Sequence, residues 1–291
     1  MNIHSRIGRG CMLGAVLATM AAALPASAAP FFFSTGGPDG LIGTATRPGS
    51  GGKVEIESAD DFILGSHTSI TSASFTGLLT GGATAANIGQ VVAEIYRVFP
   101  KDSTSPPSGR VPTRTNSPSD VAFDSRDSGG GGLSFSIATL GAFSAANSVL
   151  NGINPIPNQT THGEGPISGT EVTITVNFGS PFDLPADHYF FVPQVAVTGG
   201  EFYWLSAAKP VAGGTGPFVP DLQSWIRNEP LAPDWLRIGT DIVGAGAFNA
   251  SFSLVGATAV PVPGSVALLL AGVLPFALTR RRRAPAAMPH A

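Results

Sequence analysis

Apolar and polar residues alternate along much of the chain between residues 53 and 259. The clearest case is the segment EVTITVNF, in which Val172, Ile174 and Val176 are separated by polar residues. Successive side chains of a β-strand point to opposite faces, so these three residues would share one buried face. The polar positions between them would face solvent. The segment therefore predicts a half-buried strand of an antiparallel sheet.

Other segments rich in β-branched and aromatic residues also predict strands, and glycine and proline separate them. They are KVEIES, DFILG, SITSASFTGLL, QVVAEIYRVF, LSFSIATL, HYFFVPQVAV, EFYWLS and AFNASFSLVG. Only TLGAFSAANSVL indicates a helix, so the strand–helix alternation of a parallel sheet is missing. We predict an all-β ectodomain over residues 53–259, an antiparallel β-sandwich of jelly-roll-like type.

Two polar segments do not follow the strand pattern. Residues 29–52 are rich in Gly, Ser, Thr and Pro and predict a flexible N-terminal linker. Residues 100–132 predict a long surface loop, because their Ser, Pro and Gly content is too high for a core. The same composition favours disorder in the first half of that loop.

The N-terminus has the three parts of a secretory signal peptide. Arg6 and Arg9 form a basic region, residues 12–24 form an apolar run, and the small residues Ala26 and Ala28 flank a cleavage site. We therefore predict that residues 1–28 are a signal peptide, that cleavage follows Ala28, and that the Sec translocon exports the chain.

The C-terminus carries a short apolar run, residues 265–279, followed by an arginine block. At about 1.5 Å per residue such a helix covers roughly 20 Å, against a hydrocarbon core of about 30 Å. The block consists of Arg280, Arg281, Arg282 and Arg283. Basic flanks stay in the cytoplasm, so we predict a marginal transmembrane helix with a cytoplasmic tail at 284–291. The alternative is a buried core helix capped by basic residues.

A proline motif precedes this apolar run. It consists of Val260, Pro261, Val262, Pro263, Gly264 and Ser265. Residues 260–283, with motif, apolar helix and arginines in this order, resemble the PEP-CTERM sorting signal of Gram-negative bacteria. The resemblance implies processing by an exosortase-type membrane peptidase, transient anchoring in the inner membrane, and delivery to the cell surface or extracellular matrix. Val262 stands where that family has Glu, which implies a variant signal.

The charge of the exported region excludes one class of partner. Two of the 16 Lys and Arg residues lie in the signal peptide and four in the tail, so ten remain against 19 acidic residues. The resulting net charge of −9 would repel phosphate backbones, so we expect no nucleic-acid binding. The single cysteine, Cys11, lies in the signal peptide. The mature protein therefore has neither a disulfide nor a thiol nucleophile.

Two tryptophans near the C-terminal end of the ectodomain are candidates for ligand binding. Trp225 and Trp235 lie close in sequence to Arg227 and Asn228. An aromatic ring with adjacent guanidinium and amide groups could stack on a sugar and hydrogen-bond to it. We expect Trp225 to be exposed. The alternative is that these aromatic residues belong to the core.

Three aspartates in the long loop are candidates for a calcium site. Asp120, Asp124 and Asp127 lie beside a glycine run, and Ca²⁺ takes six to eight oxygen ligands. The alternative is a solvated acidic loop without metal. No other cofactor is expected.

These observations favour a non-enzymatic exported protein, structural or adhesive, at the cell surface or in the extracellular matrix, in contact with exopolysaccharide. The chain contains no hydrolase, metalloprotease or nucleotide-binding motif. The alternative is a secreted polysaccharide hydrolase, for which two carboxyl groups about 5 to 10 Å apart across a cleft would be the sign.

Overall fold

The computed structural model describes residues 28–105, 108–153, 160–208 and 223–259. Ala28–Ala259 forms one compact unit. Residues 1–27 of the predicted signal peptide, including Ala26, lie outside the described residues, as do the sorting motif, the apolar run 265–279 and the arginine block. Within the described ranges, no helix has the length and apolar character that a membrane span requires.

Fifteen strands make up most of the described chain. The first eight are β1 (Ala29–Ser34), β2 (Pro38–Ala45), β3 (Ile56–Leu64), β4 (Thr68–Leu79), β5 (Ile88–Arg97), β6 (Asp124–Asp127), β7 (Leu133–Ala145) and β8 (Asn147–Val149). The others are β9 (Ile167–Leu184), β10 (Asp187–Val197), β11 (Phe202–Ala207), β12 (Trp225–Asn228), β13 (Leu236–Arg237), β14 (Asn249–Ala250) and β15 (Phe252–Thr258). Helical turns occur at Ala85–Asn87 and Ile238–Val243.

The strands form two sheets. The nine-stranded sheet has the order β1-β15-β4-β11-β2-β8, with β9 beside β4, β7 beside β9 and β14 beside β11. The six-stranded sheet has the order β13-β12-β3-β10-β5-β6. Within the described ranges every ladder is antiparallel except the short one between β2 and β8. The predicted all-β, mostly antiparallel architecture is confirmed.

The largest hydrophobic core draws on both sheets. Phe75 and Ile174 of the nine-stranded sheet share it with Phe62 and Phe191 of the six-stranded sheet. The rings of Phe75 and Phe191 contact edge to face, with centroids 6.1 Å apart. The alternation in EVTITVNF is confirmed, because its three apolar residues are all buried in this core. The two sheets thus pack in a sandwich-like manner.

Residues 29–52 are not a flexible linker, as their composition suggested. They contain β1 and β2, and β1 pairs along its whole length with β15. Phe31 and Phe33 are buried in the main core. The error came from weighing the glycine and serine content of the segment above the alternation in APFFFS, where every second residue faces the core.

The surface loop expected at residues 100–132 also differs from the prediction. Among its described residues, 100–105 and 108–132, it contains β6 and the buried side chains of Val111 and Arg114. Arg114 forms ion pairs with Asp120 and Asp234 at 2.8 and 2.9 Å. These contacts fix the described part of the segment, whereas its composition favoured disorder in the first half.

Candidate functional site

The predicted aromatic platform lies inside the protein. Trp225 is 1% exposed and Trp235 is 0% exposed, so neither ring can stack on a sugar. Trp225 sits on β12 opposite Ala59, between β3 and β13, and Trp235 packs edge-on against Tyr96. The expectation of an exposed Trp225 is wrong, because its side chain packs in a buried cluster with Trp235, Tyr96 and Phe190. Asn228 accepts a hydrogen bond from the Leu231 backbone through Oδ1 and so closes a turn.

Arg227 does meet Trp235, but as part of a buried ionic cluster. Its guanidinium lies 4.3 Å from the Trp235 ring centroid. It donates to both carboxylate oxygens of Glu57 and, over 2.9 Å, to the hydroxyl of Tyr96. A buried guanidinium needs such partners to offset its loss of solvent. This arrangement assigns Arg227 a structural role across β12, β3 and β5.

Glu94 extends the same cluster towards solvent. The Tyr96 hydroxyl lies 2.6 Å from Glu57 Oε1 and 3.3 Å from Glu94 Oε2. Burial and the negative charge of Glu57 raise the pKa of Glu94 to about 8. Glu57 and Glu94 both accept a hydrogen bond from the Tyr96 hydroxyl, so Glu94 belongs to the same buried network as Arg227.

The three candidate calcium ligands each have a separate partner. The partners are Arg114 for Asp120, Arg126 for Asp124, and Gln90 with the Gly129 backbone for Asp127. Burial alone would raise the pKa of Asp120, but hydrogen bonds from Arg114 and from backbone groups hold it below its ordinary value. The described ranges contain no group of three Asp, Glu, His or Cys residues that could hold a metal. The calcium prediction is therefore corrected.

A cleft of about 270 Å³ lies beside the β2–β3 connection and the β10–β11 turn. Arg47 and Lys53 line it, and both form ion pairs with Glu201, at 2.9 and 2.7 Å. Lys53 Nζ also donates to the Gly200 carbonyl oxygen at 2.6 Å. These contacts connect the two loops, so Arg47 and Lys53 have a structural role.

A regular surface lies on the outward side of five strands of the nine-stranded sheet. Five adjacent strands contribute to it, in the order β1, β15, β4, β9 and β7. On each strand the alternate residues are in the core, as Phe33, Phe252, Phe75 and Ile174 illustrate. The residues between them therefore point outward.

The strand registers align these outward residues in rows. The central row is Ser34, Ser253, Ser74, Thr175 and Ser136, one hydroxyl from each of five strands. The row on one side is Phe32, Val255, Ser72, Asn177 and Ser134. The row on the other side contains Thr173 and Ala138, and the buried Thr76 lies beside Thr173. We call these residues the hydroxyl face. With strands about 4.8 Å apart, the central row is about 19 Å long.

The hydroxyl face contains no charged residue in any of its three rows. Two cross-strand hydrogen bonds orient its centre, Ser74 with Thr175 at 2.9 Å and Thr76 with Thr173 at 3.0 Å. Phe32 is 45% exposed at one corner. The surface is thus an array of hydroxyl groups, with an aromatic ring at its edge.

Sequence reasoning missed the hydroxyl face, although a signal was present. The polar positions of the strand segments SITSASFTGLL, LSFSIATL and EVTITVNF are mostly Ser and Thr, and only one of them, Glu171, is charged. No protein-family model matches the chain, and no curated protein matches it. The function must therefore be argued from this surface and from the sequence.

Proposed function

We propose that this protein is an exported, non-enzymatic structural or adhesive protein of the cell surface or extracellular matrix of a Gram-negative bacterium. In this proposal the ectodomain is a jelly-roll-like sandwich that contacts exopolysaccharide through the hydroxyl face. The observation that carries the binding role is the uncharged array of hydroxyls aligned across five strands.

The chemistry of the hydroxyl face suits a polysaccharide chain. Each Ser or Thr hydroxyl both donates and accepts hydrogen bonds, as do the hydroxyls of sugars. The exposed ring of Phe32 offers an apolar surface on which a sugar ring can stack. An extended row of equivalent groups suits a repeating polymer better than a compact ligand, since a small ligand is usually held in a concave pocket.

The proposal of export and sorting is based on the sequence of the two chain ends. In the proposal the signal peptide at 1–28 directs export, and the helix at 265–279 anchors the protein in the inner membrane until an exosortase-type peptidase cuts within residues 260–265. The arginines at 280–283 hold the C-terminus in the cytoplasm.

A sedimentation assay with insoluble polysaccharide tests the binding role. Residues 28–259 would be mixed with microcrystalline cellulose, with chitin and with exopolysaccharide purified from the native host. The double variant Thr173→Val, Thr175→Val removes two hydroxyls and keeps the branched side-chain shape. We expect it to bind about tenfold more weakly, because each hydrogen bond contributes about 0.5 to 1.5 kcal/mol.

Thr115→Val is the matched control, because Thr115 is exposed outside the hydroxyl face. It should bind as the unmodified domain does. If the unmodified domain binds none of the three polymers, or if the double variant binds equally well, the polysaccharide role is wrong.

Mass spectrometry of the surface-associated protein from the native host tests the sorting role separately. We expect a C-terminus within residues 260–265, and we expect replacement of the arginines at 280–283 by Ser to reduce both retention and processing. Recovery of the chain intact through Ala291 would show that the tail is a permanent anchor.

A further inference from the structure

Strand β7 lies at an edge of the nine-stranded sheet with one side unpaired. It pairs with β9 along its length, and residues 133–139 have no strand partner on their other side within the described ranges. In an antiparallel strand every second residue points its N–H and C=O groups away from the existing partner. The free edge of β7 therefore presents a row of backbone donors and acceptors.

The composition of β7 leaves this edge unprotected. Its 13 residues, LSFSIATLGAFSA, include no charged residue and no proline. Natural proteins usually protect long edge strands with charges, prolines or short length, because an exposed edge pairs readily with another strand.

The strands at the other ends of the two sheet orders, within the described part of the chain, have such protection. In the nine-stranded sheet, β1 has six residues and contains Pro30, and β8 has three residues. In the six-stranded sheet, β13 has two residues, and β6 has the sequence DSRD, with three charged residues of four. Among these ends, β7 alone combines length with neutrality, which indicates that its edge is kept free for pairing.

We propose that two copies of this chain pair through β7, antiparallel and about a two-fold axis at Ser136. This register places Phe135 opposite Ile137 of the partner subunit on the core side of the sheet. On the outward side it places Ser134 opposite Ala138 of the partner subunit.

The paired side chains are complementary in this register. Phe135 and Ile137 are only half-buried against the core in one copy, so pairing removes more of their apolar surface from water. An aromatic residue opposite a β-branched one is also a favourable cross-strand pair. A net charge of −9 makes two exported regions repel each other, and a neutral strand is where they can meet at the smallest electrostatic cost.

A β-bulge limits the paired stretch. The register between β7 and β9 shifts between Thr139 and Gly141, and such a bulge bends the strand there, so the straight part of the free edge is residues 133–139. Each copy then contributes one stretch, 133–139, to one symmetric interface. Such an interface closes at two copies and does not grow into a fibre.

The dimer would extend the hydroxyl face. Ser136 ends the central row in each copy, so pairing at Ser136 joins the two rows of five hydroxyls end to end. The pairing itself does not depend on the hydroxyl face binding polysaccharide, and it is tested without any polysaccharide present.

Analytical ultracentrifugation of residues 28–259 tests the pairing. This segment is a compact unit with its own core, so it has what it needs to fold alone. We expect its mass to rise with concentration to twice the monomer mass. Ser136→Glu and Ser136→Lys each place two like charges at the axis, and we expect each variant to lose the dimer. An equimolar mixture of the two variants should recover it, because opposite charges then meet.

A second variant tests the register. Ser134→Glu combined with Ala138→Lys in one chain puts an introduced carboxylate opposite an introduced ammonium of the other copy, so this double variant should dimerise. Asn177→Lys, on the same face but on β9, is the control and should also dimerise. Circular dichroism and the melting temperature would confirm that each variant is folded.

The proposal fails if the unmodified domain stays monomeric at every concentration. It also fails if the Ser136 variants dimerise as well as the unmodified domain, since the contact then lies elsewhere. A dimer that the mixture of Ser136→Glu and Ser136→Lys does not restore would contradict the two-fold axis at residue 136.

Discussion

Replacing Glu94 with Gln should weaken the pH dependence of stability, because Glu94 keeps its proton to unusually high pH in the folded protein. Burial, followed by the negative charge of Glu57, raises the pKa of Glu94 from 4.5 to about 8. In the unfolded chain the group titrates near 4.5. Between these two values unfolding releases a proton, so the free energy of unfolding falls as the pH rises. Below 4.5 and above about 8 this contribution is constant.

The size of the effect follows from the two pKa values. One pKa unit corresponds to about 1.4 kcal/mol, so the full displacement would correspond to at most about 5 kcal/mol. Glu94 is half-buried, and water screens part of this interaction. We therefore expect Glu94 to lower the stability by about 2 kcal/mol between about pH 5 and about pH 8.

Urea unfolding at several pH values measures this effect, with fluorescence of the buried tryptophans as the signal. Glu94→Gln is uncharged at every pH, so its stability relative to the unmodified domain should increase by about 2 kcal/mol from about pH 5 to about pH 8. Glu229→Gln is the control, because Glu229 is exposed and outside the buried cluster. If the stability difference between Glu94→Gln and the unmodified domain is the same at both pH values, the reasoning is refuted.

Two further substitutions test the packing of the fold by urea unfolding. Gly77→Ala should lower the free energy of unfolding by about 1 to 3 kcal/mol, because a Cβ there would clash with the ring of Phe202 and the backbone of Tyr203. A Cβ at Gly89 meets open space, so Gly89→Ala should be nearly neutral. Arg114→Met should cost about 3 to 5 kcal/mol, because it leaves the buried Asp234 carboxylate without its ion-pair partner. If Arg114→Met lowers the free energy of unfolding by less than about 0.5 kcal/mol, as an ordinary surface substitution does, the ion pair does not stabilise the fold.

The alternation of apolar and polar residues determined the class of this fold. It identified the strand of Val172, Ile174 and Val176 and the side that each residue faces, because the two-residue period of a strand is a local property of the chain. The same reasoning failed where composition was weighed above alternation, as in β1 with its buried Phe31 and Phe33.

Tertiary structure decided which strands are neighbours, and with that it decided every candidate site. Arg227 contacts Glu57 although 170 positions separate them in the sequence, and packing against Trp235 and Phe190 makes Trp225 part of the core. The central row of the hydroxyl face likewise depends on the registers of four separate ladders. Local periodicity shows which face of a strand is polar, but long-range pairing alone brings five such faces into one surface.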